Sequence, residues 1–371
     1  MKGWWRALRG GLALLALAGL GGCADLHYYA QSIGGHLNLM HLAKPIPDWL
    51  ADEQVAPALK AKLQLAQQIR QFAVTELKLP DNASYHRYAE LQRRAAVWNV
   101  VAAPEFSLKA KTWCFPVTGC VGYRGYFDRA DAQAEADTLK AEGLEVGVYA
   151  VPAYSTLGWM NWAGGDPLLS TFINYPEGEL ARLIFHELAH QVAYASGDTE
   201  FNESFATAVE RLGVEHWLVQ RGSPTARQDY EAINRLRNQF RTLTLAMRKQ
   251  LQGLYPDQAP TDLGQLATLR SAKEQAYADF RSRYAQLRVS WGADANRVAG
   301  YDGLVANANN AQFAALAAYD ELVPAFEALF EREGRDWQRF YDAAKRLAKL
   351  SDKDERRRAL TTPKNTTTST S

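Results

Sequence analysis

His186-Glu187-Leu188-Ala189-His190, followed at short range by Asn202-Glu203-Ser204-Phe205-Ala206, decides how the rest of the chain is read. In a helix, side chains four apart lie nearly above one another. His186 and His190 can therefore present two imidazole nitrogens to one metal, with Glu187 one residue round toward the same cleft. The segment predicts such a helix. Pro176 suits a first-turn position, Glu177 and Glu179 favour the positive end of the dipole, and Leu180, Leu183, Ile184, Leu188 and Val192 form an apolar stripe. Ser196-Gly197-Asp198-Thr199 ends it: Gly197 can take a left-handed cap, and Asp198 or Thr199 can cap a second helix running back through Glu203 and Glu210. So short a turn makes the two helices antiparallel neighbours and brings Glu203 level with the histidines. Two His and one carboxylate leave a fourth position open to water, the catalytic rather than the structural arrangement of Zn2+, with one ion per chain. Glu210 lies seven residues beyond Glu203 on the same face and can accept the free N–H of a ligand imidazole.

Together, the His-Glu-Leu-Ala-His-Gln and Asn-Glu-Ser-Phe-Ala-Thr segments, with Glu210 behind them, resemble the gluzincin metallopeptidases, closest to the membrane-alanyl-aminopeptidase pattern. That resemblance covers only the metal site. Over most of the chain, including Trp113-Cys114-Phe115-Pro116, Gly119-Cys120 and Asn309-Asn310-Ala311, the sequence resembles the zinc aminopeptidase lipoproteins of proteobacterial envelopes. The resemblance implies His186, His190 and Glu203 as ligands, Glu187 as general base and Glu210 as the group behind a ligand imidazole. Two features depart from the membrane-alanyl pattern. The spacing from His190 to Glu203 is shorter. Where that pattern has Gly-Ala-Met-Glu-Asn, this chain has Gly158-Trp159-Met160-Asn161-Trp162, with no Glu to hold a substrate's free amine. Asp166, Glu177 and Glu179 are the nearby acids in sequence.

At 371 residues with 47% hydrophobic and 22% charged content, the chain has ordinary globular composition and can bury a substantial core. A formal net charge of +1 gives no basis for a nucleic-acid partner or for an electrostatically held membrane surface. Residues 1–22 read as a lipoprotein signal peptide. Lys2, Arg6 and Arg9 precede an apolar run from Leu12 to Leu20 that is too short to span a bilayer. Leu20-Gly21-Gly22-Cys23 resembles the bacterial lipobox, which implies cleavage before Cys23 and a lipid anchor on that residue. In the enterobacterial lipoproteins that this segment resembles, an Asp after the lipidated Cys marks inner-membrane retention, so by resemblance Ala24 implies the outer membrane, facing the periplasm. With Cys23 acylated, Cys114 and Cys120 remain. In an oxidising periplasm the pair predicts a disulfide closing a small loop, with free buried thiols as the alternative.

The fold class expected is α+β. Residues 23–94 read as a helical segment and 95–222 as a zincin-like catalytic core with a small mixed sheet and the active-site helices. Residues 223–350 read as a helical C-terminal region and 351–371 as a disordered tail. Strand character is concentrated in Ala96 to Ala103, Gly122 to Phe127 and Leu144 to Val151, with a helix from Arg129 to Glu142. In gluzincins a strand above the active-site helix binds the substrate backbone, and Tyr154 to Trp162 is placed in sequence to do so. Val305 to Leu322 reads as one helix, and Pro324 marks a restart.

Peptide hydrolysis at zinc needs activated water, a base and an oxyanion donor. The donor is ambiguous among Tyr230, Tyr301 and Tyr319, with weight on Tyr319 because it shares a helix with Asn307, Asn309 and Asn310, and polar residues on an otherwise apolar helix suggest a cleft wall. The function expected is a zinc-dependent envelope peptidase acting on a peptide or protein substrate, an aminopeptidase by resemblance. The alternatives are an endopeptidase acting on envelope proteins and a non-catalytic binding or assembly lipoprotein. Glu187 favours an enzyme, because a binding module needs the ligands but not the base. Oligomeric state is left open.

Overall fold

The computed structural model describes residues 26–115, 119–258, 260–292, 295–317 and 321–362. The signal segment and Cys23 therefore lie outside the described residues, as does Tyr319.

The apolar run of β3 (Val97–Pro104) is buried along nearly its whole length and forms the centre of an antiparallel sheet. It pairs with β6 (Arg124–Tyr126) on one side and with β7 (Leu144–Val151) on the other, Asn99 lying opposite both Gly125 and Tyr149. Alternate residues face opposite ways. Val100 and Ala102 pack with Ala132, Ala136 and Leu139 of α4 (Arg129–Ala141), whose first turn is capped by the Asp128 carboxylate accepting from Ala130 N–H. Val101 and Ala103 face Ala311 of α10 (Asn310–Ala317). Between β3 and β6, β4 (Trp113–Phe115) and β5 (Gly119–Val121) form a hairpin whose paired residues Cys114 and Cys120 are joined by a disulfide.

The N-terminal segment supplies α1 (26–42), α2 (Ile46–Ala51) and α3 (Pro57–Thr75). Its strands β1 (Lys44–Pro45) and β2 (Arg87–Ala89) form, with β8 (Leu168–Leu169) from later in the chain, a small sheet that the sequence pattern does not reveal. Strands of two or three residues are too short to display a period of two, so no pattern announces them.

The largest core surrounds two helices, α5 (Glu177–Ala189) and α6 (Thr199–Gln220). Leu63, Ile69 and Phe72 of α3 close it on one side; Phe326 and Phe330 of α11 (Val323–Arg332) and Phe340 and Tyr341 of α12 (Trp337–Ala348) close it on the other. The last helices thus belong to the core that holds the candidate site. Between them, α7 (Pro224–Leu254) and α8 (Leu263–Trp291) pair around Phe240, Met247, Phe280 and Tyr284, followed by α9 (Ala295–Ala306).

Four expectations are corrected. Tyr154 to Trp162 is not a strand: β7 ends at Val151, Leu157 and Gly158 take positive φ, and the segment closes in a 3-10 turn over Asn161–Ala163. The helix expected from Val305 to Leu322 breaks after Ala306, because Asn309 acts as a cap, its side-chain oxygen accepting from Gln312 N–H at 3.1 Å. Asn310 does not wall a cleft. Its buried amide binds the Tyr255 and Tyr277 hydroxyls and the backbone oxygens of Pro104 and Glu105.

The fourth correction is the start of the tail, residues 363–371 lying outside the described residues. Lys353–Thr361 forms α13, started by Asp352 accepting from Glu355 N–H. Its charged sequence reads as solvated, yet Arg356 is buried, with its guanidinium on the Asp198 carboxylate and on the backbone oxygens of Leu347 and Leu350. Arg357 reaches the same carboxylate at 3.2 Å and Glu200 at 2.5 Å. Asp198 is the N-cap of α6, accepting from Phe201 N–H, so the chain's end grips the start of the second site helix. Removing one partner of a buried pair strands the other. Arg356→Ala should therefore cost about 3 kcal/mol of unfolding free energy, measured by chemical denaturation, the low end of the usual range because Arg357 remains.

Candidate metal centre

His186 sits in the last turn of α5, and His190 occupies its C-cap with helical backbone angles, so the helix ends at the second histidine. Gly197 takes the left-handed conformation at φ 75°, and Asp198 begins α6. Asn202 pins the turn between the helices, donating to Ala195 O at 2.9 Å and accepting from Ala195 N–H at 2.7 Å. Ser204 accepts from Leu322 N–H, and Phe205 packs edge-on against Phe326. Each residue of the Asn-Glu-Ser-Phe segment other than Glu203 thus fixes α6 in place, and Glu203 is left to face the histidines.

His186 Nε2 lies 3.2 Å from His190 Nε2 and 3.2 Å from Glu203 Oε2, which is 3.6 Å from His190 Nε2. Two bare imidazole nitrogens this close repel, so the cluster calls for a proton or a cation at its centre. The three atoms fit a cation: ligands held tetrahedrally on bonds of ~2.0–2.1 Å stand ~3.3 Å apart. Among the described residues, this trio is the one group of three or more His, Cys, Asp and Glu with donor atoms near enough to share an ion. His186 Nδ1–H donates to Glu210 Oε2 at 2.9 Å, leaving Nε2 as the metal-facing nitrogen, and Arg182 donates to Glu210 Oε1 at 2.7 Å. Arg182 was not singled out from sequence, although its place one turn before His186 on the same helix is the signal that finds it.

Burial opposes charge throughout this cluster, and the pairings overcome it. Hydrogen bonds to Glu203 and Glu210 outweigh desolvation at His186 and push its pKa up to about 10. Against its own burial, Glu203 is held far below the carboxylate range by His190 and His186, and Glu210 is brought to about 2 by Arg182 and His186. Glu187 behaves differently. Burial raises its carboxyl, and the two histidines only partly oppose that rise. A carboxyl shifted upward beside a metal site is suited to taking and returning a proton.

These groups open into a cleft of about 780 Å3. Its polar floor is His186, Glu187, His190 and Glu203, with Asn99, Tyr123 and Tyr194 on the walls. Its rim is aromatic: Tyr29, Phe115, Tyr154, Trp159 and Trp162. Gln191, directly after His190, binds Asn82, Ser84 and Asn161, which ties the 154–166 segment to the end of α5. The acids proposed near an amine site are engaged elsewhere. Asp166 is buried and accepts from the Thr156 N–H and hydroxyl; Glu177 accepts from Trp217 Nε1–H, and Glu179 pairs with Arg237.

Tyr230 and Tyr301 do not line this cleft. Tyr230 lies against Gly178 and borders a separate groove of about 1040 Å3 between α6, α7 and α11, and Tyr301 packs on Phe240. Tyr123 and Tyr194 stand where a donor was expected. Burial, with Glu203 nearby, raises the Tyr123 hydroxyl well above its usual pKa and Tyr194 to about 12, so both keep their protons at neutral pH. Tyr194 is four residues after His190, a spacing visible in sequence. Tyr123 reaches the site through the sheet, which no local pattern reveals.

A family model described as "Putative aminopeptidase" matches residues 27–360 of the chain. No curated protein and no solved structure gives a significant match.

With its pKa pushed up to about 10, His186 carries a second ring proton that a bound cation must displace, so affinity for a divalent cation should fall about tenfold for each pH unit below about 10, one proton being released per ion. Calorimetry in buffers of different ionisation enthalpy counts that proton. In His190→Ala, stoichiometric binding should be lost.

Proposed function

We propose that this chain, which belongs to the putative aminopeptidase family, is a zinc-dependent metallopeptidase of the bacterial cell envelope. The observation that carries the reading is the convergence of His186 Nε2, His190 Nε2 and Glu203 Oε2 at tetrahedral edge distances, with Glu187 on the same floor of the cleft. Two neutral imidazoles and one carboxylate are a donor set suited to zinc, and the gluzincin-like residue pattern points to the same ion. A zinc ion held there supplies Lewis acidity, lowering the pKa of water to near 7 and polarising the scissile carbonyl.

The protein's own groups do the rest. Glu187 takes the proton from the attacking water and returns it to the leaving amine, and its raised pKa suits both transfers. Glu210, anchored by Arg182, keeps the proton of His186 on Nδ1 and its Nε2 free for the ion. The Tyr123 and Tyr194 hydroxyls, protonated and on the cleft walls, are the donors available to a developing oxyanion. Aromatic walls exclude water and receive apolar side chains. The lipobox-like Leu20-Gly21-Gly22-Cys23 supports a lipid anchor on Cys23 and an outer-membrane location facing the periplasm.

The family description favours removal of single N-terminal residues. A second reading, internal cleavage, is favoured by one observation: among the described residues lining the cleft, the acids are Glu187 and Glu203, both committed to the metal and the reaction.

Glu187→Gln keeps shape without basicity. Turnover should drop at least about a hundredfold with the metal retained, as followed by peptide assay and metal analysis on the same preparation. A matched pair of peptides, one free and one N-acetylated, separates the two specificities. A free amine held by a charge-assisted contact makes the free peptide at least about tenfold faster, with products shortening one residue at a time. Equal rates with internal cuts identify an endopeptidase.

A further inference from the structure

The first helix, α1, carries apolar side chains on two faces. One packs inward. Tyr28 lies 5.6 Å from the Phe115 ring and 5.5 Å from Tyr126, and Gln31 accepts from Phe127 N–H while donating to Gly125 O. The other face is bare: Leu26, Ile33 and Leu37 are 70%, 60% and 61% exposed, with Tyr29 beside them at 40%. At ~100° per residue these four fall within an arc of ~80°, one stripe turned away from the body of the protein. Over its described residues, 26–42, α1 contains no Asp, Glu, Lys or Arg, in a chain that is 22% charged. A solvated helix face has no physical reason to be free of charge.

A second apolar group stands next to it. Trp159 and Trp162 are 65% and 82% exposed on the segment after β7. That segment packs beside α1, since a Cβ on Gly164 would stand 3.7 Å from the Met40 methyl. Tyr29 and both tryptophans border the mouth of the cleft.

We propose that this uncharged face docks on the surface of a lipid bilayer and turns the cleft mouth toward it, so that the peptidase acts on polypeptide at the membrane surface. The proposal rests on the envelope reading given above. The described residues of α1 begin at Leu26, three residues after Cys23. Three residues span at most ~10 Å, so whatever holds Cys23 at a bilayer holds the first turn of α1 there too. Among the described residues no helix is long and apolar enough to cross a membrane, so the contact lies along the surface. Uncharged apolar stripes and exposed tryptophans are the groups that settle at the headgroup boundary.

The test uses the chain from Ala24 to Ser371, which keeps every described residue and lacks the acylated thiol. It is floated with vesicles of phosphatidylcholine, alone or mixed with phosphatidylglycerol. Binding to both compositions, little changed by salt, is expected because the face carries no charge. Ile33→Glu with Leu37→Glu should lower the partition coefficient at least about tenfold, and Trp159→Ala with Trp162→Ala should lower it as well. Leu263→Glu, at an exposed apolar residue on α8, should not. No vesicle binding by the parent chain, or binding indifferent to the α1 pair, overturns the proposal. So does a dimer, seen by sedimentation, that the α1 pair dissociates, because the stripe then belongs to a second copy. Failure of the anchor is read separately, by mass analysis of the full-length chain extracted from cells: a Cys23 that carries no acyl chain removes lipidation and leaves the vesicle result standing.

Discussion

The candidate site depends on one electrostatic chain, Arg182 to Glu210 to His186 to Glu203, running from the middle of α5 across to α6 and back. None of its members is favourably buried alone. Each is held in its charged or oriented state by the next, and the cost of desolvating the set falls on the packing of the two helices. That explains why the surrounding residues are so heavily committed to position. Asn202 closes the inter-helix turn, Ser204 takes the backbone of Leu322, and Phe205 wedges against α11. A shift of half a turn in either helix would separate the donor atoms by several ångströms and leave buried charges unpaired, so the rigidity of the pair is a condition for the chemistry.

Much of this was legible because it is local. The His-His spacing, the Gly197 and Asp198 caps and the seven-residue interval from Glu203 to Glu210 are all expressed within a few turns of helix, where sequence distance and spatial distance agree. The runs that became β3 and β7 were equally plain, since strands of eight residues give β-branched pattern room to show. What escaped was decided by partners far away in sequence. The Tyr123 hydroxyl reaches the cleft by way of the sheet. Asn310 looked like a cleft wall but completes a buried network with two tyrosines. Lys353–Thr361 looked solvated because its charges are dense, and the group that buries Arg356 is a carboxylate 158 residues earlier.

The segment between β7 and β8 replaces an expected substrate-binding strand with a folded loop. Positive φ at Leu157, Gly158, Gly164 and Gly165 bends it back on itself, and Gln191 and Ser84 secure its return. Its exposed tryptophans then stand at the rim of the cleft. A wall built this way gives the rim of the candidate cleft shape and apolar surface.

The grip of α13 on Asp198 sets an order of events. Residue 198 emerges from the ribosome, and crosses a membrane in any exported form, well before residue 356. Until the C-terminal segment arrives, the start of α6 lacks the guanidinium that neutralises its cap, and a buried carboxylate waits without a counterion. Contacts so distant along the chain form late, because the closing loop is long. A nascent chain therefore lacks that counterion at the start of α6, the helix that carries Glu203, until α13 is in place.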